Sequence, residues 1–201
     1  MTEIVFSARI MQRFVETLSS EVGHETLSAA LLNAGLPEEW AHSAHFAGLD
    51  NVRAAQAYAR LQSALRTYYG RGARGILLRI GAKLWNHLLD DSAFAIKAQA
   101  ALIRGLPRPL RRKPTLELLA RILSIAPGNI TVHTLDLDLL LVDQTSPTAL
   151  DQSDNAPICF VTFGLIRESL YWADGQVYDV EERACRATGA RQCEFKVTIG
   201  G

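Results

Sequence analysis

The stretch Cys159–Cys193, CFVTFGLIRESLYWADGQVYDVEERACRATGARQC, holds all three cysteines of the chain, at positions 159, 185 and 193. Glu182 precedes Cys185 by three residues. Three thiolates and one carboxylate are enough to fill a tetrahedral zinc site. The spacing, Cys-x25-Cys-x7-Cys, is not that of a common zinc ribbon. Buried structural cysteines are therefore the competing reading. The same stretch sets the fold of this half. An apolar run from about Ile158 to Ala173 predicts a helix, and alternating segments near 177–186 and 192–199 predict a hairpin turned at Gly189-Ala190.

Upstream of this stretch, Thr145 to Pro157 is polar and proline-bounded, which predicts a loop. Before it, Ile130, Val132 and Thr134 alternate with polar positions, and Leu139–Val142 is a short apolar run. These predict a first hairpin turning near 135–138. Everything earlier has helical periodicity. Residues 1–48 read as two helices, with Ile10, Phe14, Val15 and Leu18 on one face and a stop at Gly35-Leu36-Pro37. Asp50 or Asn51 is the expected cap of a helix carrying Val52, Ala55, Tyr58, Leu61 and Leu65. A helix over 73–90 follows, then one capped by Asp91 or Ser92, then one opened by Pro114 at its first position.

The expected fold class is α+β: a helical N-terminal half packed on a four-stranded antiparallel sheet built as hairpin, helix, hairpin. Two units are expected, an N-terminal helical hairpin over 1–48, serving as extension or dimer element, and a binding domain over 49–201.

The C-terminal run resembles the signature of the 4-vinyl reductase (4VR) domain family. That signature is a helix ending in an aromatic and a glycine, a strand with Glu-x-x-Cys, and a glycine turn with a closing Cys. Here these are Tyr171, Trp172 and Gly175, then Glu182 and Cys185, then Gly189 and Cys193. Members of that family include phenol and xylene sensor domains, a protein of bacteriochlorophyll synthesis and free-standing hydrocarbon-binding proteins, with a fold similar to TRAPP vesicle-tethering subunits. The resemblance implies Cys159, Glu182, Cys185 and Cys193 as ligands of a structural zinc. In a regular strand Glu182 and Cys185 point to opposite faces, which leaves Glu181 as the alternative fourth ligand. The resemblance further implies an apolar cavity between helices and sheet, lined by Tyr68, Trp85, Phe94, Phe163, Tyr171 and Trp172. It implies a small hydrophobic or aromatic ligand, a sensor or carrier role, and a homodimer. An accessory factor or reductase of tetrapyrrole synthesis is the alternative. The chain ends eight residues after Cys193. It is thus expected to signal through a separate effector protein, without the ATPase and DNA-binding domains of the transcriptional sensors.

Composition narrows the remaining choices. The chain has 201 residues, 21 basic and 21 acidic, so no net field draws it to nucleic acid. No apolar run reaches the length of a membrane span and no signal-peptide pattern opens the chain, so the expected location is the cytoplasm, where an odd cysteine count argues against disulfides. Gly70-x-Gly72-x-x-Gly75 fits a dinucleotide fingerprint in spacing but follows a helix where that motif requires a strand. The resemblance implies instead a Gly-Arg-Gly-Ala stretch at the start of a long helix, whose small residues let helices approach. No Gly-x-Ser-x-Gly motif is present, and the five histidines (24, 42, 45, 87, 133) have no metal or triad spacing, so an enzyme is the weaker expectation. Arg108, Arg111, Arg112 and Lys113 form one basic cluster, read as a solvated loop or as a site for an anionic group.

Overall fold

The computed structural model describes residues 4–200; Met1 to Glu3 and Gly201, which fall in the expected terminal units, lie outside the described residues. Helices α1 (Ala8–Val22), α2 (His24–Asn33), α3 (Asn51–Tyr69), α4 (Ala73–Asp90), α5 (Phe94–Gly105) and α6 (Arg108–Leu123) come first. Strands β1 (Ile130–Leu135) and β2 (Asp138–Asp143), helix α7 (Phe160–Asp174), and strands β3 (Asp179–Ala184) and β4 (Cys193–Thr198) follow. The sheet is antiparallel in the order β1-β2-β4-β3, so the second hairpin adds to the first through β4. The class is the α+β arrangement expected, with the helical half over one sheet face.

That face is set by register. Leu139 pairs with Val197, Leu141 with Phe195 and Asp143 with Cys193, and all six are buried. Alternation turns Leu140, Glu194 and Lys196 to the other face, where they are partly exposed. The helices bring Phe14, Leu18, Leu61, Leu77, Leu84 and Trp85 into the same core. Phe14 and Leu18 belong to α1, so the N-terminal helices share the core with the sheet. Asp50 caps α3, its Oδ1 accepting from the Val52 and Arg53 amides at 3.0 and 2.8 Å.

Helices α4 and α7 cross where Gly81 meets Gly164. A Cβ at Gly164 would overlap the Leu78 carbonyl oxygen, and one at Gly81 the Val161 carbonyl oxygen. This is where small residues allow close approach. The expectation that the Gly70–Gly75 run does so is corrected: a Cβ at Gly70 or Gly72 would meet nothing within 4 Å. Gly70 serves instead through its positive φ of 53°, which ends α3 and starts the short turn to α4.

Two helix starts also differ from expectation. Ala93, not Asp91 or Ser92, is the N-cap of α5; Asp91 is the C-cap of α4, drawn there by Arg13. Helix α6 begins at Arg108, with Pro114 inside it. Pro109 already occupies the first turn, where its missing N–H costs nothing, so the helix starts one and a half turns early.

Candidate metal centre

Three chain segments meet at the end of the sheet nearest the start of α7. Cys159 is the N-cap of α7, Cys193 opens β4, Cys185 follows the end of β3, and Glu182 lies within β3. One ligand atom from each of these four residues lies within 4.8 Å of all the others. The Cys159 sulfur is 3.8 Å from that of Cys185 and 3.6 Å from that of Cys193. These distances are far beyond a disulfide bond, and all three cysteines are free. They match a tetrahedral ion: ligands at about 2.3 Å from one centre stand roughly 3.8 Å apart.

The strand geometry shows how Glu182 joins. Glu182 pairs with Phe195, but the next pair is Ala184 with Glu194, so Arg183 is an extra residue in β3. A bulge of this kind shifts the facing of every later side chain by one. Glu182 and Cys185, which regular alternation would separate, therefore face the same corner. Glu181, the alternative ligand, is exposed on the other face, paired with Lys196.

The electrostatics of the corner suit a cation. Glu182 Oε2 accepts the Cys159 amide at 3.1 Å, while its Oε1 is buried and has no hydrogen-bond partner among the described residues. Burial, then the neighbouring Cys185, pushes the Glu182 carboxyl up to about 8. Hydrogen bonds to Cys185 and Cys193, together with burial, push the Cys159 thiol well above its ordinary range. Several anions cannot form this close together in a buried site unless a cation compensates them. The surroundings favour the thiolate side of that balance. Cys159 sits at a helix N-terminus, where the backbone dipole favours negative charge, and the Arg186 amide points at the Cys193 sulfur at 3.4 Å. Ser146 Oγ lies 3.5 Å from the Cys159 sulfur, and half-buried Arg66 of α3 adds a positive charge toward Cys159 and Cys185. Neither Ser146 nor Arg66 is legible in the sequence as part of the site; no spacing links either to the cysteines, and only the folded loop 145–157 brings them near.

The six aromatic residues read as cavity lining fall in different places. Trp85 is fully buried and meets Trp172 edge-on, with ring centroids 5.5 Å apart. Tyr171 lines an open groove of ≈ 360 Å³ with Leu78, Ala82, Gly164 and Val177. Phe163 lines an adjoining groove that shares Arg167 and Val177 with it. Tyr68 is half-exposed beside Tyr69, and Phe94 is 85% exposed on α5. The basic cluster divides as well. Arg111 and Arg112 turn inward, to the Ala173 carbonyl and the Asp174 carboxylate at the C-terminus of α7.

Residues 144–199 match the 4-vinyl reductase domain family, the one that the Cys159–Cys193 run resembles. All four clustered residues fall inside that match. Across the whole length the chain is similar in fold to H-NOX proteins. An H-NOX protein from S. oneidensis in the Fe(II)NO state superposes with a TM-score of 0.59 at 14% identity, covering 97% of this chain and 99% of that one. Unliganded Fe(II) H-NOX from K. algicida gives 0.60 at 14% identity and 96% coverage of both chains. A mutant H-NOX from T. tengcongensis gives 0.61 at 12% identity, covering 96% of this chain and 97% of that one. At these identities the likeness is one of fold. No curated protein sequence matches the chain.

Proposed function

We propose that the chain is a zinc-stabilised binding domain for a small hydrophobic or aromatic molecule, acting as a sensor or carrier. The observation that carries the metal half is the sulfur spacing of 3.6 and 3.8 Å beside a buried carboxylate oxygen without a partner. Cys159, Cys185, Cys193 and Glu182 would hold the ion. With four protein ligands and no open position, zinc would supply structure rather than catalysis. It would tie α7 to the second hairpin.

The ligand half rests on the family match and on the groove between α4 and α7. Its wall is apolar at Leu78, Ala82, Gly164, Tyr171 and Val177, with Arg79, Arg167 and Glu168 at the rim. Such a surface suits an aromatic ring with one polar substituent. The H-NOX relatives in fold include structures devoted to heme distortion. Here all five histidines are exposed, so no buried imidazole is offered to a heme iron, and the buried donor set is the thiolate corner that suits zinc. A homodimer, which the family resemblance implies, a separate effector protein and a reducing cytoplasm that keeps the thiols free complete the reading. No described helix is long and apolar enough to cross a membrane.

Native mass spectrometry of the purified protein tests both halves. One zinc per chain and a co-purified apolar mass are expected, and a tetrapyrrole would announce itself by visible absorbance. Tyr171→Ala should weaken binding of a fluorescent naphthalene probe about tenfold, the loss of one aromatic contact. A metal-free protein at full stability would end the zinc half, and unchanged probe binding would end the assignment of the groove.

A further inference from the structure

Helix α5 has two apolar faces, and only one is covered. Ala100 and Ile103 are buried, and Ile96 packs beside them on the inner face. At 100° per residue, Phe94, Ala95, Ala98, Ala101, Leu102 and Gly105 fall within a stripe about 120° wide on nearly the opposite side. Phe94 is 85% exposed and Leu102 75%. The stripe runs on past the helix end into Leu106 and Leu110, both exposed. From Phe94 to Leu106 it is roughly 18 Å long.

Within the segment from Ala93 to Leu116, flanked by the exposed Asp90 and by Glu117, charge has one sign. Between Ala93 and Leu116 there are six basic residues, Lys97, Arg104, Arg108, Arg111, Arg112 and Lys113, and no acidic residue. Arg111 and Arg112 turn toward the end of α7. Lys97, Arg104, Arg108 and Lys113 are exposed, and none of them has an acidic partner among the described residues. Arg104 instead stacks over the Trp172 ring, 5.4 Å from its centroid. Lys97 and Arg104 border the apolar stripe on one side by helical position.

We propose that this face of α5 and the start of α6 is a peripheral docking surface for an anionic lipid bilayer, with Phe94, Leu102, Leu106 and Leu110 entering the interfacial layer. Large apolar side chains rimmed by cations are the pattern of helices that lie in a membrane interface. A second copy of the chain is disfavoured as occupant, since a two-fold contact would set four exposed cations against four. A helical partner would need a groove to receive the stripe or to offer one. Phe94 and Leu102 instead stand clear of their neighbours on a convex helix, a shape that a fluid acyl layer accepts.

Flotation of the full-length, zinc-loaded protein with lipid vesicles tests this. At low salt, equimolar phosphatidylcholine and phosphatidylglycerol vesicles should carry about tenfold more protein than phosphatidylcholine alone, and about 0.5 M salt should remove most of the difference. Phe94→Ser with Leu102→Ser should lower flotation about tenfold. Lys97→Glu with Arg108→Glu should do the same and abolish the salt dependence. All four positions are exposed, so melting temperature and zinc content should stay as in the parent protein. Absence of flotation on anionic vesicles, or flotation that survives both pairs of substitutions, overturns the proposal. So does a lower sedimentation coefficient in the Phe94→Ser, Leu102→Ser variant, which would assign the face to a second copy.

Discussion

Helix α7 is held at two places that differ in kind. At its middle, Gly164 lies against α4 so closely that no side-chain atom fits between them. At its start, Cys159 faces Cys185, Cys193 and Glu182. The first contact is complete as it stands, backbone against backbone. The second brings together groups whose ionised forms repel and whose carboxylate oxygen lacks a partner. One half of α7 is thus fixed by packing alone, while the other meets a cluster of side chains that could hold a cation. Stability of the two should respond to different perturbations.

The largest effect should come from Gly164→Leu, which forces α4 and α7 apart. A loss of more than about 4 kcal/mol, or failure to fold, is expected with or without zinc. Thermal melts by circular dichroism check this, and a parent-like melt would mean that the helices do not cross this tightly. Next, Cys185→Ser should release zinc and cost about 3 kcal/mol or more in metal-loaded protein. With a chelator present, parent and variant should melt within about 1 kcal/mol of each other. If the variant keeps its metal, the corner is not the site.

A third test uses pH. In metal-free protein the Glu182 carboxyl sits near 8, above its ordinary 4.5, because of burial and Cys185. A raised acid contributes stability that is full below the unfolded value and lost as pH rises through the folded one. The chelated protein should therefore melt higher at pH 5 than at pH 9, by up to about 2 kcal/mol after allowance for partial exposure. Zinc reverses the sign, because protons compete with the metal for the same ligands. Equal slopes with and without zinc would contradict both readings of the corner. The smallest effect concerns neither contact. Arg13 joins Asp91, tying α1 to the end of α4, but the pair is partly exposed. Arg13→Ala should cost at most about 1 kcal/mol and leave zinc content unchanged, as urea unfolding with metal analysis would show.

Much of the architecture is legible in the residues because each layer has its own period. The alternation at Ile130–Thr134 and the helical spacing of Leu77, Leu84 and Leu88 place elements to within a few residues. Asp50 or Asn51 announces the start of α3 by side-chain chemistry, and the fold makes Asp50 the cap. The metal ligands are legible only through the resemblance, since Cys-x25-Cys-x7-Cys has no ribbon spacing. What decides between Glu181 and Glu182 is not legible. The bulge at Arg183 carries no glycine or proline that would announce it. Likewise Gly81 and Gly164 look like any helical glycines until α4 and α7 are brought together. The start of α6 is hidden because Pro109 and Pro114 both satisfy the local rules for a first turn.

The most direct test of the metal corner is zinc K-edge X-ray absorption on the purified protein. Three sulfur neighbours at about 2.3 Å and one oxygen at about 2.0–2.2 Å are expected, with sulfur lost stepwise in each Cys→Ser variant. A first shell of nitrogen and oxygen only, or protein that folds to full stability without any zinc, would contradict it.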